Sequence, residues 1–226
     1  ADSAGSSCVE CHMPKIVYGV TAVHRSHRID SPSAQRDAAS GRPHACTLCH
    51  VDQSLAWAGA KSAALWGGAH SAPQQRRDRA PIDLPDAIAS LHAGDAAARA
   101  VYAAALGRST ATFALAAAAP LRAHLAVAMG DGYPMVRWFA QQSLQAHEER
   151  RPIGLAQWLS RADHTAGGAA RAETVRALLD GIAAEAPRRL PPPASGMLLT
   201  VDCRLDRQAV IRLTDLQSRN LISIGE

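Results

Sequence analysis

Chemistry in this 226-residue chain is concentrated in two short stretches, Cys8-Val9-Glu10-Cys11-His12 and Cys46-Thr47-Leu48-Cys49-His50. Each has the form C-x-x-C-H, the attachment pattern of c-type haem. Two thiols three positions apart can each form a thioether with a vinyl group of one porphyrin, and the adjoining histidine then offers its imidazole to the iron as proximal ligand. With five cysteines and ten histidines in the chain, roughly 0.005 matches to this pattern are expected by chance. The competing chemistry is a zinc ion held by the four cysteines. Zinc leaves the two following histidines superfluous and does not account for the other histidines nearby. The residues therefore predict two covalently attached haem c groups, bonded at Cys8, Cys11, Cys46 and Cys49, with His12 and His50 on the irons.

Each predicted iron has a second axial position. Histidine on both sides gives a six-coordinate iron suited to electron transfer, and a vacancy allows substrate to bind. His24 and His27, in the run His24-Arg25-Ser26-His27-Arg28-Ile29-Asp30, lie between the motifs and are the first candidates for distal ligands. His44 and His70 are the weaker ones, and the iron that each would serve stays open. Met13 adjoins His12 and is poorly placed to reach the far side of the same iron. His92, His124, His147 and His164 fall in the second half of the chain and read as ordinary helix residues.

Composition bounds the class. Aromatic residues are 4% and alanine is abundant, which points to closely packed helices rather than a large aromatic core. No apolar run approaches the roughly 20 residues of a membrane span. The first residues, Ala1 to Ser7, are small and polar and lack the pattern of a signal peptide. Haem c is attached outside the bacterial cytoplasm, so export is expected, through a cleaved signal or as part of a longer precursor. The formal charge of +4 and pI near 9.0 would be balanced by the four propionates of two haems. Arg25, Arg28, Arg36, Arg42 and Lys61 stand in the right region to do so, and nucleic-acid binding is discarded. Cys203, outside both motifs, reads as a small buried hydrophobe.

Stepping along the chain, residues 1–70 form the haem region, with 13–45 irregular and packed around porphyrin. A helical stripe of Trp57, Ala60, Ala64 and Leu65 follows the second motif and ends at Gly67-Gly68. Trp57 and Trp66 are candidates for packing against a haem or in an ordinary core. Residues 71–83 are polar and flanked by prolines, a linker. Residues 84–186 read as successive helices. Asp95 caps a segment bearing Ala98, Val101 and Ala105; Pro120 separates Phe113–Ala119 from a helix bearing Leu121, Leu125 and Ala128. Pro134 opens a helix with Val136, Phe139, Ala140, Ser143 and Leu144 on one face, and Val175, Leu178, Leu179 and Ile182 mark another. Gly94–Leu106 aligns with Gly132–Leu144 at an offset of 38, pairing Arg99 with Arg137, which suits stacked two-helix units. In the tail, residues 187–226, Leu199 to Leu205 alternate like a strand, Asp206 caps a short helix with Ala209, Leu213 and Leu216, and Leu221–Ile224 is extended.

Several of these stretches together resemble the multihaem c-type cytochromes related to cytochrome c nitrite reductase. The likeness rests on Cys8-Val9-Glu10-Cys11-His12-Met13-Pro14-Lys15, on Ser26-His27-Arg28-Ile29 with Pro32, and on Ala45-Cys46-Thr47-Leu48-Cys49-His50 with Ser54-Leu55-Ala56-Trp57-Ala58. In that family a histidine motif after the first haem supplies a distal ligand, which favours His27, with His24 close behind. The second half resembles the HEAT-like repeats that some such cytochromes carry. The fold this implies is mainly α: a dihaem cytochrome c domain over 1–70, a linker over 71–83, a HEAT-like helical domain over 84–186 and a mixed tail. Two departures stand out. The C-x-x-C-K motif of the nitrite reductase substrate haem is missing, and two haems are visible where relatives have four or more. The resemblance thus implies an electron carrier rather than an enzyme, periplasmic, serving protein redox partners in a larger membrane-associated or multihaem complex. The alternatives are a haem reductase or peroxidase with one open iron, and a zinc-stabilised interaction module.

Overall fold

The computed structural model describes residues 7–17, 21–67, 72–108, 118–184, 196–200, 202 and 204–217. In the first third, α1 (Cys8–His12) is followed by β1 (Lys15–Val17), β2 (Val23–Arg25), α2 (Ala34–Ser40) and α3 (Leu55–Trp66). The expectation of an irregular chain over 13–45 is corrected here. β1 and β2 pair antiparallel, with Lys15 opposite Arg25, Ile16 opposite His24 and Val17 opposite Val23. The physical reason is burial: Val17 and Val23 pack on the main hydrophobic core, so this short hairpin has a face to hide. The segment also holds α2, whose Ser33 side chain accepts the Arg36 N–H and which stops at Gly41 in the left-handed conformation (φ 75°).

α3 forms where the stripe predicted it, capped by Ser54 and ended at Gly67, but it buries a different face. Leu55, Ala58, Gly59 and Ser62 point inward, while Ala60, Ala64 and Leu65 face solvent, Leu65 being 69% exposed. The inward face consists largely of small residues, which let α3 lie close to α2.

The remaining helices are α4 (Asp86–Ala93), α5 (Ala96–Arg108), α6 (Ala118–Ala128), α7 (Pro134–Arg150), α8 (Ala156–Arg161), α9 (Gly168–Ala184) and α10 (Arg207–Thr214). The structure is mainly helical, as the composition implied. Asp95 accepts the Ala98 N–H at 2.9 Å, Pro134 opens α7, and Asp206 accepts the Ala209 N–H at 3.0 Å. The stripes of α7 and α9 face the core. Pro120 lies within the first turn of α6 rather than ahead of it, because the first four N–H groups of a helix have no partner inside it and a proline there loses nothing. Most of the helix expected over Phe113–Ala119 lies outside the described residues, as do Cys203 and Leu221–Ile224. In the alternating tail Leu199 is bridged to Leu205 and the Thr200 N–H donates to the Arg204 carbonyl at 2.8 Å, while Val201 lies outside the described residues.

α5 and α7, the two segments related by the offset of 38, lie side by side. A Cβ built on Gly107 would stand 2.2 Å from Ser143 Oγ and 2.7 Å from Ser143 Cα, so the helices meet where one has no side chain. Ser143 donates to the Ala103 carbonyl at 2.7 Å and His147 to the Leu106 carbonyl at 3.0 Å, tightening the same seam. Arg99 and Arg137 hold matching places. Each reaches a carbonyl just before its own helix (Gly94 at 2.8 Å; Asp131 at 2.6 Å), and each reaches forward to the next unit, to the Asp131 carboxylate and the His164 carbonyl. The regularity ends there, since α9 packs chiefly on α6. Among the described residues no helix is long and apolar enough to cross a membrane.

One core runs through both parts of the chain. Leu48 and Val51, beside the second cysteine pair, belong to the same buried cluster as Ile88 of α4, Val101 and Tyr102 of α5, Leu125 of α6 and Val136 of α7. α10 packs back on α4, where Leu213 joins Ala89 and Ala93.

Two buried histidines fasten the C-terminal return. His124 Nε2 donates to the Met197 carbonyl at 2.9 Å, which leaves His124 Nδ1 to accept from His92 Nε2 at 2.8 Å. The Gln217 amide donates to the His92 carbonyl at 2.7 Å. Burial, then the facing His124 and Arg99, push His92 well below its ordinary range, and burial pushes His124 down to about 4.

Two expectations arise here. Gly107→Ala forces a methyl into Ser143 and should destabilise the protein by about 1–3 kcal/mol, read as a lower thermal midpoint. The unfolded chain protonates His92 and His124 near pH 6.5, whereas the folded protein resists until well below that. Stability present above about pH 6.5 is therefore lost progressively as the pH falls toward about 4. His124→Gln, which keeps a donor for Met197, should flatten that loss in melting curves taken across this range.

Candidate haem site

The first cysteine pair is carried on α1, a helix of little more than one turn with no buried residue, which the following segment holds in place. Asp30 N–H donates to the His12 carbonyl and Ser26 N–H to the Pro14 carbonyl, at 2.9 and 3.0 Å. Arg25, from β2, donates to the Val9 carbonyl at 3.0 Å and forms an ion pair with Glu10, which lowers the Glu10 carboxyl below its usual range. The same segment sets the imidazole. His12 Nδ1 lies 2.9 Å from the Asp30 carbonyl, an acceptor only, so Nδ1 carries the proton and Nε2 keeps its lone pair for a metal. His12 and Cys8 are exposed and Cys11 is half-buried.

The second pair sits in a turn rather than a helix, with His50 N–H on the Cys46 carbonyl at 2.8 Å. Its inner residues Thr47 and Leu48 are buried, while Cys49 and His50 are exposed and Cys46 is half-buried. This division lets the turn anchor itself in the core and still present its reactive atoms. The anchor is Asp86, 2% exposed, at the start of α4. One carboxylate oxygen accepts from Thr47 Oγ1 at 2.5 Å and from the Tyr102 hydroxyl; the other accepts from Arg76 and from Ser90 at 3.0 Å. Arg76, from the 71–83 segment, also grips Asp78 at 2.7 Å. Tyr102 in turn accepts the His44 N–H at 3.1 Å. Trp57 of α3 stands beside the His50 imidazole, ring centroids 5.1 Å apart.

The two pairs lie near each other. Burial pushes the Cys11 thiol up, and Cys46, Cys49, Glu10 and Cys8 add to that. Cys49 is also pushed up by burial, against the pull of the Arg108 guanidinium at the end of α5. None of these four cysteines is in a disulfide, and among the described residues no three His, Cys, Asp or Glu side chains converge as they would around one metal ion. Beside Cys11 is a cavity of only about 10 Å³, lined also by Pro32, Arg36, Asp37, Arg42 and Ala45. That is far less than the roughly 300 Å³ at the lower end for small-molecule sites. A porphyrin would be held by Cys8, Cys11 and His12 or by Cys46, Cys49 and His50, of which Cys8, His12, Cys49 and His50 are exposed.

The expected distal candidates fall in different environments. His24 and His27 are exposed, His24 in the middle of β2 and His27 just beyond it. His44 is fully buried, and His70 lies outside the described residues. His44 Nδ1 is 2.7 Å from an Asp37 carboxylate oxygen, and its Nε2 is buried with no hydrogen-bond partner among the described residues. Burial works against protonating this ring, but Asp37 and the adjacent Cys46 thiol raise it to about 9. Of the arginines expected near propionates, Arg25 is committed to Glu10, and Arg28 and Arg36 pair with Asp30 at 3.6 and 3.2 Å. Arg42 lines the cavity, Lys61 is exposed on α3, and Arg108 was not anticipated from the sequence.

The residues present fit haem c. Neither pair is closed by a disulfide, both proximal imidazoles are exposed, and His12 is in the tautomer that leaves Nε2 for iron. These features define a c-type haem-attachment segment. Residues 2–65 match the family model of cytochrome c552, a stretch that takes in both motifs and stops short of α4. That match supports a c-type cytochrome with covalently bound haem. Comparison with curated proteins and with solved structures found no match.

Because Asp86 collects donors from four segments, Asp86→Ala should cost about 1–3 kcal/mol by leaving the buried Thr47, Tyr102 and Ser90 hydroxyls without their acceptor, while Arg76 keeps Asp78. Tyr102→Phe, which strands the His44 N–H, should cost about 1–3 kcal/mol in urea titrations.

Proposed function

We propose that the chain is a dihaem electron carrier, with one haem c at Cys8, Cys11 and His12 and another at Cys46, Cys49 and His50. The observation that carries this reading is that both attachment motifs present their histidine at the surface, the first on α1 held by Asp30 and Arg25 and the second on a turn held through Thr47 by Asp86. Bound haem c supplies one-electron redox chemistry, and histidine on both axial sides favours a lower potential than histidine with methionine. The chain's own part is to fix the imidazoles, to hold the two attachment segments at a constant spacing and to neutralise propionate charge.

The helical part serves as a docking scaffold in this reading. The side-by-side α5 and α7 and the matched Arg99 and Arg137 support a HEAT-like relation for two units, although α9 departs from it. The partners are redox proteins of a larger multihaem or membrane-associated complex, in the periplasm where haem c is attached. The chain acts as a carrier and not as an enzyme.

Intact mass of protein produced in a host that attaches haem c should exceed the 23.8 kDa polypeptide by two haem masses, and Cys46→Ser/Cys49→Ser should remove one of them. A mass equal to the bare polypeptide, with no c-type α-band on reduction, ends this proposal.

A further inference from the structure

The two proximal histidines are held in different ways. His12 is clamped at two points by one residue: its Nδ1–H donates to the Asp30 carbonyl at 2.9 Å, and its own carbonyl accepts the Asp30 N–H at 2.9 Å. An imidazole that gives its Nδ1 proton to a fixed acceptor is more electron-rich at Nε2 and is the stronger donor to a metal. The His50 ring has no hydrogen bond of this kind among the described residues. It lies instead against the Trp57 indole, with ring centroids 5.1 Å apart and planes at 51°. Trp57 is half-buried and fixed at the start of α3, where its N–H donates to Ser54 Oγ at 3.1 Å.

Charge separates the two motifs in the same sense. Beside the first, the Glu10 carboxylate and the Arg25 guanidinium neutralise each other. Beside the second stands Arg108, the last residue of α5, whose charge bears on Cys49 more than on Glu10. Arg108 is exposed and forms no ion pair among the described residues. A nearby cation and an apolar wall both disfavour the extra positive charge of ferric iron, whereas a strengthened imidazole stabilises it. All three effects push in one direction.

We propose that the haem at Cys8, Cys11 and His12 has the lower reduction potential and the haem at Cys46, Cys49 and His50 the higher, the order being set by the Asp30 carbonyl on one side and by Trp57 and Arg108 on the other. This rests on the dihaem reading above and gives it a direction. One electron leaves the ferrous iron at His12, which becomes ferric, and reduces the ferric iron at His50 to ferrous; no bond breaks and no proton moves. Electrons entering the chain collect on the second haem, the one whose attachment turn is tied to the helical scaffold through Thr47 and Asp86.

The test uses the full-length holoprotein. Pyridine haemochrome counts the haems, and a spectroelectrochemical titration should resolve two one-electron waves. Cys46→Ser/Cys49→Ser should lose the upper wave and Cys8→Ser/Cys11→Ser the lower. Arg108→Gln, which leaves every attachment residue in place, should shift the upper wave to lower potential by more than it shifts the lower one. It decides the matter should a cysteine variant fail to mature. Coincident waves in the wild type, loss of the lower wave in Cys46→Ser/Cys49→Ser, or an upper wave unmoved in Arg108→Gln overturns the proposal while the dihaem reading stands. A wild-type protein with one haem or none removes that reading itself.

Discussion

The Asp86 carboxylate is the interaction on which the rest of the structure depends. A bare charge at that depth would be prohibitive, and what makes it tolerable is a full set of donors: Thr47, Tyr102, Arg76 and Ser90. Those four come from the second cysteine motif, from α5, from the segment before α4 and from α4 itself. One satisfied charge therefore fixes where the haem-attachment turn stands relative to the helical scaffold. It does so with a directionality that the surrounding alanine-rich core could not supply, because small apolar side chains slide past one another at little cost.

The same core explains the economy of the helical part. Few aromatic residues are available, and the close approach of α5 and α7 at Gly107 and Ser143 replaces bulk with proximity. Specificity in that seam falls to polar groups, the Ser143 hydroxyl and the His147 imidazole on α5 carbonyls, and Arg99 bridging to Asp131. Each is buried and satisfied, so a slip of the seam by one residue would strand it.

What the sequence disclosed was local. The C-x-x-C-H motifs, the Asp95 and Asp206 caps, the opening Pro134 and the stripes on α7 and α9 depend on residues within a turn or two of each other, and all were readable. The β1–β2 hairpin was hidden because each strand is only three residues long and its burial comes from the distant helical core. The signals for α2, Ser33 and Gly41, were present but lost among the prolines, serines and arginines around them. α3 was found with the wrong face inward, because alanine, glycine and serine do not announce a side by hydropathy. Nothing local could reveal that Thr47 would meet Asp86 39 positions away, or that His44 would be buried against Asp37 while His24 stayed at the surface. The site was legible in its reactive atoms and illegible in its supports.

The placement of those supports along the chain has a consequence for biosynthesis. Both cysteine pairs precede the residues that anchor the second of them, since Asp86 and Tyr102 come later and the clasp of α10 on α4 comes last of all. In a chain made or exported from its N-terminus, the Cys46–His50 turn is complete while still untethered. Its thiols are then reachable on a pliable peptide until Asp86 and Tyr102 arrive to fix Thr47.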